Sequence, residues 1–133
     1  HPANTFVAGF IGSPAMNLLK GETVTANGGV AVKSGDALLP VPQTGKVEAG
    51  RKVIYGVRPE HLDPVAGPDG IPAKISVTEP TGPEIHIYAE LAGEEVCVIT
   101  DERRDWKRGE TIGVKPKLDR IHLFDAESGT AIL

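Results

Sequence analysis

From about Gly21 to the end of the chain, no apolar stretch runs far before glycine, proline or a charged cluster interrupts it. That punctuation is what most limits the fold, because short runs alternating at a period of two read as half-buried strands, whereas helices need longer periodic stretches. The alternation is clearest over Ala73 to Thr78, where Ala73, Ile75 and Val77 oppose Lys74, Ser76 and Thr78. It recurs over Ile85 to Leu91, with Ile85, Ile87, Ala89 and Leu91 opposite His86, Tyr88 and Glu90. Further strands are predicted at Glu22 to Ala26, Val30 to Lys33, Val53 to Arg58, Glu94 to Thr100, Thr111 to Lys115, Arg120 to Phe124 and Thr130 to Leu133. Asn27-Gly28-Gly29 is the strongest hairpin signal, since these residues tolerate the positive φ of a tight turn. The chain has 16 Gly and 11 Pro among 133 residues, yet 40% of it is hydrophobic, so it is turn-rich and still able to build a core. The expectation is a mainly β single domain over residues 1–133, a small barrel or sandwich of about nine short strands. The stretch 64–72, with its three prolines and two glycines, is expected to be a loop between two halves.

The start of the chain follows another rule. Phe6, Val7, Phe10 and Ile11 fall on one helical stripe, Pro2 suits a first helical turn, and Gly12 followed by Ser13-Pro14 is a stop. A short leading helix over residues 2–12 is therefore predicted, and its stripe needs a surface to dock on. His1 in place of Met is the expected mark of a chain trimmed from a longer protein.

Several classes of function are excluded by what the sequence lacks. No run of about 20 apolar residues exists to cross a membrane as a helix. A net charge of −4 and few aromatics provide neither the basic footprint nor the stacking platform of a nucleic-acid binder. The lone Cys97 cannot form an internal disulfide and reads as a buried small hydrophobe in a reducing, cytosolic setting. No phosphate loop, dinucleotide fingerprint, nucleophile elbow, zinc helix or Cys pair is present, so no catalytic, cofactor-binding or metal residue is assigned. Gly9-Phe10-Ile11-Gly12-Ser13 lacks the lysine of a phosphate loop and follows a predicted helix instead of preceding one. His86 and His122 have no neighbours at metal-ligand spacing and are expected on solvated strand faces.

Two clusters remain as candidates. Arg58-Pro59-Glu60-His61 gathers a guanidinium, a carboxylate and an imidazole at a strand end, where Arg58 can either hold an anion or fix the turn through Glu60. Side chains facing a groove favour the first reading, and ties to backbone carbonyls the second. Trp106, alone of its kind in the mixed charge run Asp101 to Glu110, is either part of a solvated loop or an interface anchor.

Four blocks then line up in order along the chain. Pro2-Ala3-Asn4, Phe6 to Leu19 with Gly12-Ser13-Pro14-Ala15-Met16-Asn17, Gly56-Val57-Arg58-Pro59-Glu60-His61-Leu62, Glu79-Pro80 with Gly82-Pro83-Glu84, and His122-Leu123-Phe124-Asp125 with Glu127-Ser128-Gly129 resemble one known pattern. It is the carboxy-terminal regulatory region of bacterial carbohydrate ABC importer ATP-binding subunits, of the maltose and glycerol-phosphate importer type. The resemblance implies an OB-like β-barrel, the TOBE or MOBE region, joined to a nucleotide-binding domain that this chain lacks. It implies no ATPase activity in this fragment, with ATP and Mg expected only in the absent domain. The implied role is to pair two ATP-binding subunits as a homodimer and couple them to transport. Permease subunits and a cytosolic regulatory protein are the further partners, at the cytoplasmic face of the inner membrane. Contacts are expected at Gly12, Ser13, Pro14, Asn17, Arg58, Pro59, Glu60, His61 and Trp106. An alternative is an oxyanion-sensing barrel using Arg58 and amides near Gly82.

Overall fold

A computed structural model describes residues 15–65 and 69–133, so the predicted helix over 2–12 and the candidates Gly12, Ser13 and Pro14 lie outside the described residues. Ten strands make up the described fold: β1 (Asn17–Ala26), β2 (Gly29–Ser34), β3 (Ala37–Pro40), β4 (Lys52–Val57), β5 (Leu62–Val65), β6 (Ile71–Thr81), β7 (Glu84–Leu91), β8 (Glu94–Thr100), β9 (Thr111–Pro116) and β10 (His122–Asp125). They form two five-stranded sheets, ordered β10-β4-β1-β2-β3 and β5-β9-β6-β7-β8, with all neighbouring strands antiparallel. The mainly β, OB-like expectation holds.

Turn chemistry sets the register. The β1–β2 hairpin predicted at Asn27-Gly28-Gly29 closes through Asn27 and Gly28 alone, at φ 50° and 78°, so Gly29 already belongs to β2 and faces Ala26. Ala92 and Gly93, at φ 54° and 82°, do the same between β7 and β8. In the second sheet the edge strands β5 and β8 come back into contact, curling the sheet towards a barrel, and β3 of the first sheet meets β6.

One core joins the sheets. Leu19, Val32, Val53 and Tyr55 of the first pack with Ile75, Ile87, Val98 and Val114 of the second. Tyr55, 1% exposed, donates its hydroxyl to the Pro40 carbonyl at 2.6 Å, and burial pushes its phenol far above the ordinary range. A second, small cluster forms on the other side of β4, where Met16 covers the fully buried Phe124 with Ile54 and Ala131 beside them. Gly56 makes this possible, since a Cβ there would stand 2.8 Å from the Met16 sulfur.

Some expectations are corrected. Val77 does not continue the inward row of Ala73 and Ile75: a bulge between Ile75 and Val77 shifts the phase and leaves Val77 48% exposed. Of the stretch 64–72, Pro64 and Val65 belong to β5, while Ile71 and Pro72 open β6. Thr130–Leu133 is reduced to a bridge between Phe124 and Ala131, with Ile132 N–H donating to the Leu123 carbonyl at 2.7 Å.

Candidate functional site

Beyond Val57 the chain cannot continue its ladder, because Pro59 has no N–H to offer. It turns instead through a 3-10 helix, Pro59–His61, in which His61 N–H donates to the Arg58 carbonyl at 2.9 Å. This turn packs on β8 with Pro59 buried. Asn17, paired with Val57 at the start of β1, reaches the same strand. Its Nδ2 donates to the Cys97 carbonyl at 2.9 Å and its Oδ1 accepts the Cys97 N–H at 2.8 Å. The amide thus imitates one rung of a β ladder and ties the first sheet to the second.

The structure therefore brings Asn17 and Arg58 to His61 together against β8. Asn17 is 8% exposed and faces inward, with both amide atoms engaged by Cys97. Arg58 and Glu60 form an ion pair at 3.7 Å with side chains 31% and 45% exposed. Arg58 thus pairs with Glu60, and it donates to no backbone carbonyl among the described residues.

A second turn, Leu118–Arg120, lies alongside, joined to the first by Lys117 N–H donating to the His61 carbonyl at 2.9 Å. It brings Lys117, Arg120 and His122 up to His61, residues some sixty positions away in the chain that no local motif could have paired with it. Lys117 is spent on Asp63, Nζ to Oδ2 2.6 Å. Burial lowers the His61 imidazole below its usual range, Glu60 opposing this and Arg120, Lys117 and Arg58 reinforcing it. His61 Nδ1 is buried without a hydrogen-bond partner among the described residues. His122 is half-buried and stacks on Phe124 at 6.3 Å between ring centroids, so it does not occupy the solvated face expected of it. Its imidazole is lowered too, by burial first and then by nearby positive charge including Arg58. Both rings are thereby favoured neutral at pH 7.

Trp106 stands apart, in the loop between β8 and β9. Its ring is 8% exposed, its indole N–H donates to the Glu102 carbonyl at 3.1 Å, and the Arg104 guanidinium carbon sits 3.8 Å from the ring centroid. An anchor presented to solvent is not what this arrangement provides. The loop's glycine, Gly109, and Glu110 bond to Ile75 instead, holding the loop to β6. Leu38 and Leu118, which sequence reasoning passed over, are about half exposed and line one groove with Val30, Ala31 and Pro40. Gly82 gives its carbonyl to Arg103 at 3.0 Å.

Two antiparallel sheets sharing one core, the second curled so that its edge strands meet, with polar clusters at the junction, define an OB-like β-barrel domain. The chain belongs to the TOBE domain family, whose family model matches residues 55–124, and the MalK OB fold domain matches residues 12–62. It is 41% identical over 131 residues to the ABC transporter ATP-binding protein y4oS of Sinorhizobium fredii, covering 98% of this chain and 35% of that protein. It is 39% identical to the ABC transporter ATP-binding protein YcjV of Escherichia coli, covering 98% of this chain and 37% of that protein. To the sn-glycerol-3-phosphate import ATP-binding protein UgpC of Cupriavidus pinatubonensis it is 36% identical, covering 98% and 38%. The chain thus spans 35 to 38% of the length of these relatives. No helix among the described residues is long and apolar enough to cross a membrane.

Proposed function

We propose that this chain is the carboxy-terminal regulatory and dimerisation domain of the ATP-binding subunit of a carbohydrate or glycerol-phosphate ABC importer. The observation that carries the reading is the alignment of 98% of the chain with ABC transporter ATP-binding proteins of which it spans little more than a third. ATP and Mg are handled by the nucleotide-binding domain that makes up the rest of such a subunit, and no step of hydrolysis falls to the residues described above. The barrel holds two subunits together while the nucleotide domains open and close, and through the intact subunit it is coupled to the permease at the cytoplasmic face of the inner membrane. A cytosolic regulatory protein is a further partner.

The exposed Leu38 and Leu118, at 52% and 50%, support pairing through an apolar centre. An oxyanion-sensing role has less support, because Arg58 already engages Glu60. The test is to compare an intact ATP-binding subunit carrying this domain with the same subunit cut before it. The intact subunit is expected to run as a dimer at micromolar concentration and the truncated one as a monomer; two dimers of equal strength would place the pairing elsewhere.

A further inference from the structure

The loop of residues 101–110 and the edge of the second sheet enclose a groove of about 470 Å³. Its apolar wall is Pro64 and Val65 of β5 with Ile112 of β9, and at its head stand Trp106, Arg104, Glu102 and Glu110. The head group shows what chemistry it accepts, because one guanidinium is already there. Arg104 stacks over the Trp106 ring at 3.8 Å and places Nη2 2.6 Å from Glu110 Oε2. The other Glu110 oxygen, Oε1, accepts the Lys107 N–H at 3.1 Å, so this carboxylate is fully used. The Arg104 bond, first among its causes, keeps Glu110 below the usual carboxylate range.

Glu102 is different. Its backbone is fixed, the carbonyl to the Trp106 indole and the N–H to Thr100 Oγ1, yet its carboxylate makes no hydrogen bond or ion pair among the described residues. The residues lining the groove thus include two glutamates against one cation beside an aromatic ring, and the exposed Glu102 is the one without an ion-pair partner among the described residues. Anionic groups are disfavoured there by the unpaired Glu102 carboxylate. A second cation with an apolar stem fits both the charge and the wall.

We infer that this groove receives an arginine side chain from a partner protein, its guanidinium meeting Glu102 beside Trp106 and its methylenes lying along Pro64, Val65 and Ile112. Arginine is favoured over lysine because its planar fork can pair with the carboxylate through two N–H donors at once, which a compact ammonium cannot. Arg104 is both the internal precedent and the competitor for the ring face. The surface is distinct from the Leu38 and Leu118 groove, so its test does not read dimerisation.

Trp106 is the single tryptophan of the chain, so its indole N–H gives one resolved signal in a nitrogen–proton correlation spectrum. The folded chain is titrated with the capped tripeptide acetyl-Gly-Arg-Gly-amide, and in parallel with its Lys and Glu counterparts. The expected result is a saturable shift of the indole signal with the Arg peptide, weaker binding of the Lys peptide and none of the Glu peptide. Glu102→Gln is expected to weaken the Arg peptide about threefold, in the range of an exposed ion pair. Arg104→Ala is expected to tighten it by about the same factor, because the ring face is vacated. Circular dichroism checks that both surface variants remain folded. No saturable shift, equal binding of the Glu peptide, an unchanged affinity in Glu102→Gln, or no tightening in Arg104→Ala would each overturn the assignment.

Discussion

Replacing Asn17 by leucine removes the only side-chain rung between β1 and β8 among the described residues, and the structure sets its magnitude. Leucine has similar bulk but leaves the Cys97 N–H and carbonyl facing an apolar group, and Cys97 is only 6% exposed, so water does not easily replace the amide. An orphaned buried backbone group costs about 1–3 kcal/mol, so two cost about 2–6, and the leucine methyls return about 1. We therefore expect Asn17→Leu to lose about 3 kcal/mol. At about 4 °C per kcal/mol for a domain of this size, Tm falls by about 12 °C. Urea denaturation followed by far-ultraviolet circular dichroism should show a lower midpoint with an unchanged slope, since the surface exposed on unfolding is the same. Asn17→Asp refines the test. A protonated aspartic acid can still donate to the Cys97 carbonyl, whereas a carboxylate repels it, so the folded pKa of that group is raised above its unfolded value. The variant should therefore approach the parent below about pH 4 and weaken as pH rises from there towards neutrality. A leucine variant within about 0.5 kcal/mol of the parent, or an aspartate variant with no added pH dependence, would refute the reasoning.

Asp125 closes the turn after β10, its Oδ1 accepting from the Ser128 and Glu127 N–H groups and its Oδ2 from Arg51, which together hold its pKa to about 2. A depressed folded pKa gives stability above the unfolded value that is lost as pH falls towards 2, so Asp125→Asn should flatten the acid limb of a pH–stability curve. Tyr55→Phe should cost about 1 kcal/mol in chemical denaturation, through the lost bond to Pro40, and ultraviolet titration should show Tyr55 un-ionised until the chain unfolds. Burial pushes the Cys97 thiol up to about 11, against the Tyr88 hydrogen bond that lowers it, so a thiol reagent at pH 8 should react slowly in the native chain and at once in urea.

Much of the fold was legible because turn chemistry and period are local. Asn27-Gly28 announced its hairpin, and the alternation of Ile85 to Leu91 gave β7 its buried face. What escaped has a common cause. The strands β3 and β5 each contain a proline, Pro40 and Pro64, which reads as a breaker; both strands lie at sheet edges, where the missing N–H does no harm. The bulge at Ser76 left no mark in the pattern, so Val77 was placed on the wrong face. At the site, Arg58 to His61 was visible as a unit because four residues carry it. The roles of Asn17 and Trp106 were not, since one depends on a strand 80 residues away and the other on Arg104 folding back across the ring. The exposure of Leu38 and Leu118 is a property of the packed sheets and has no signal in the order of the residues.

Sedimentation equilibrium of this chain over a wide concentration range tests the central claim most directly, because it requires no knowledge of ligand or permease. The account predicts a reversible monomer–dimer equilibrium, weakened by Leu38→Glu at the apolar groove. A strict monomer at every concentration, with the fold intact by circular dichroism, would contradict the assignment of dimerisation to this domain.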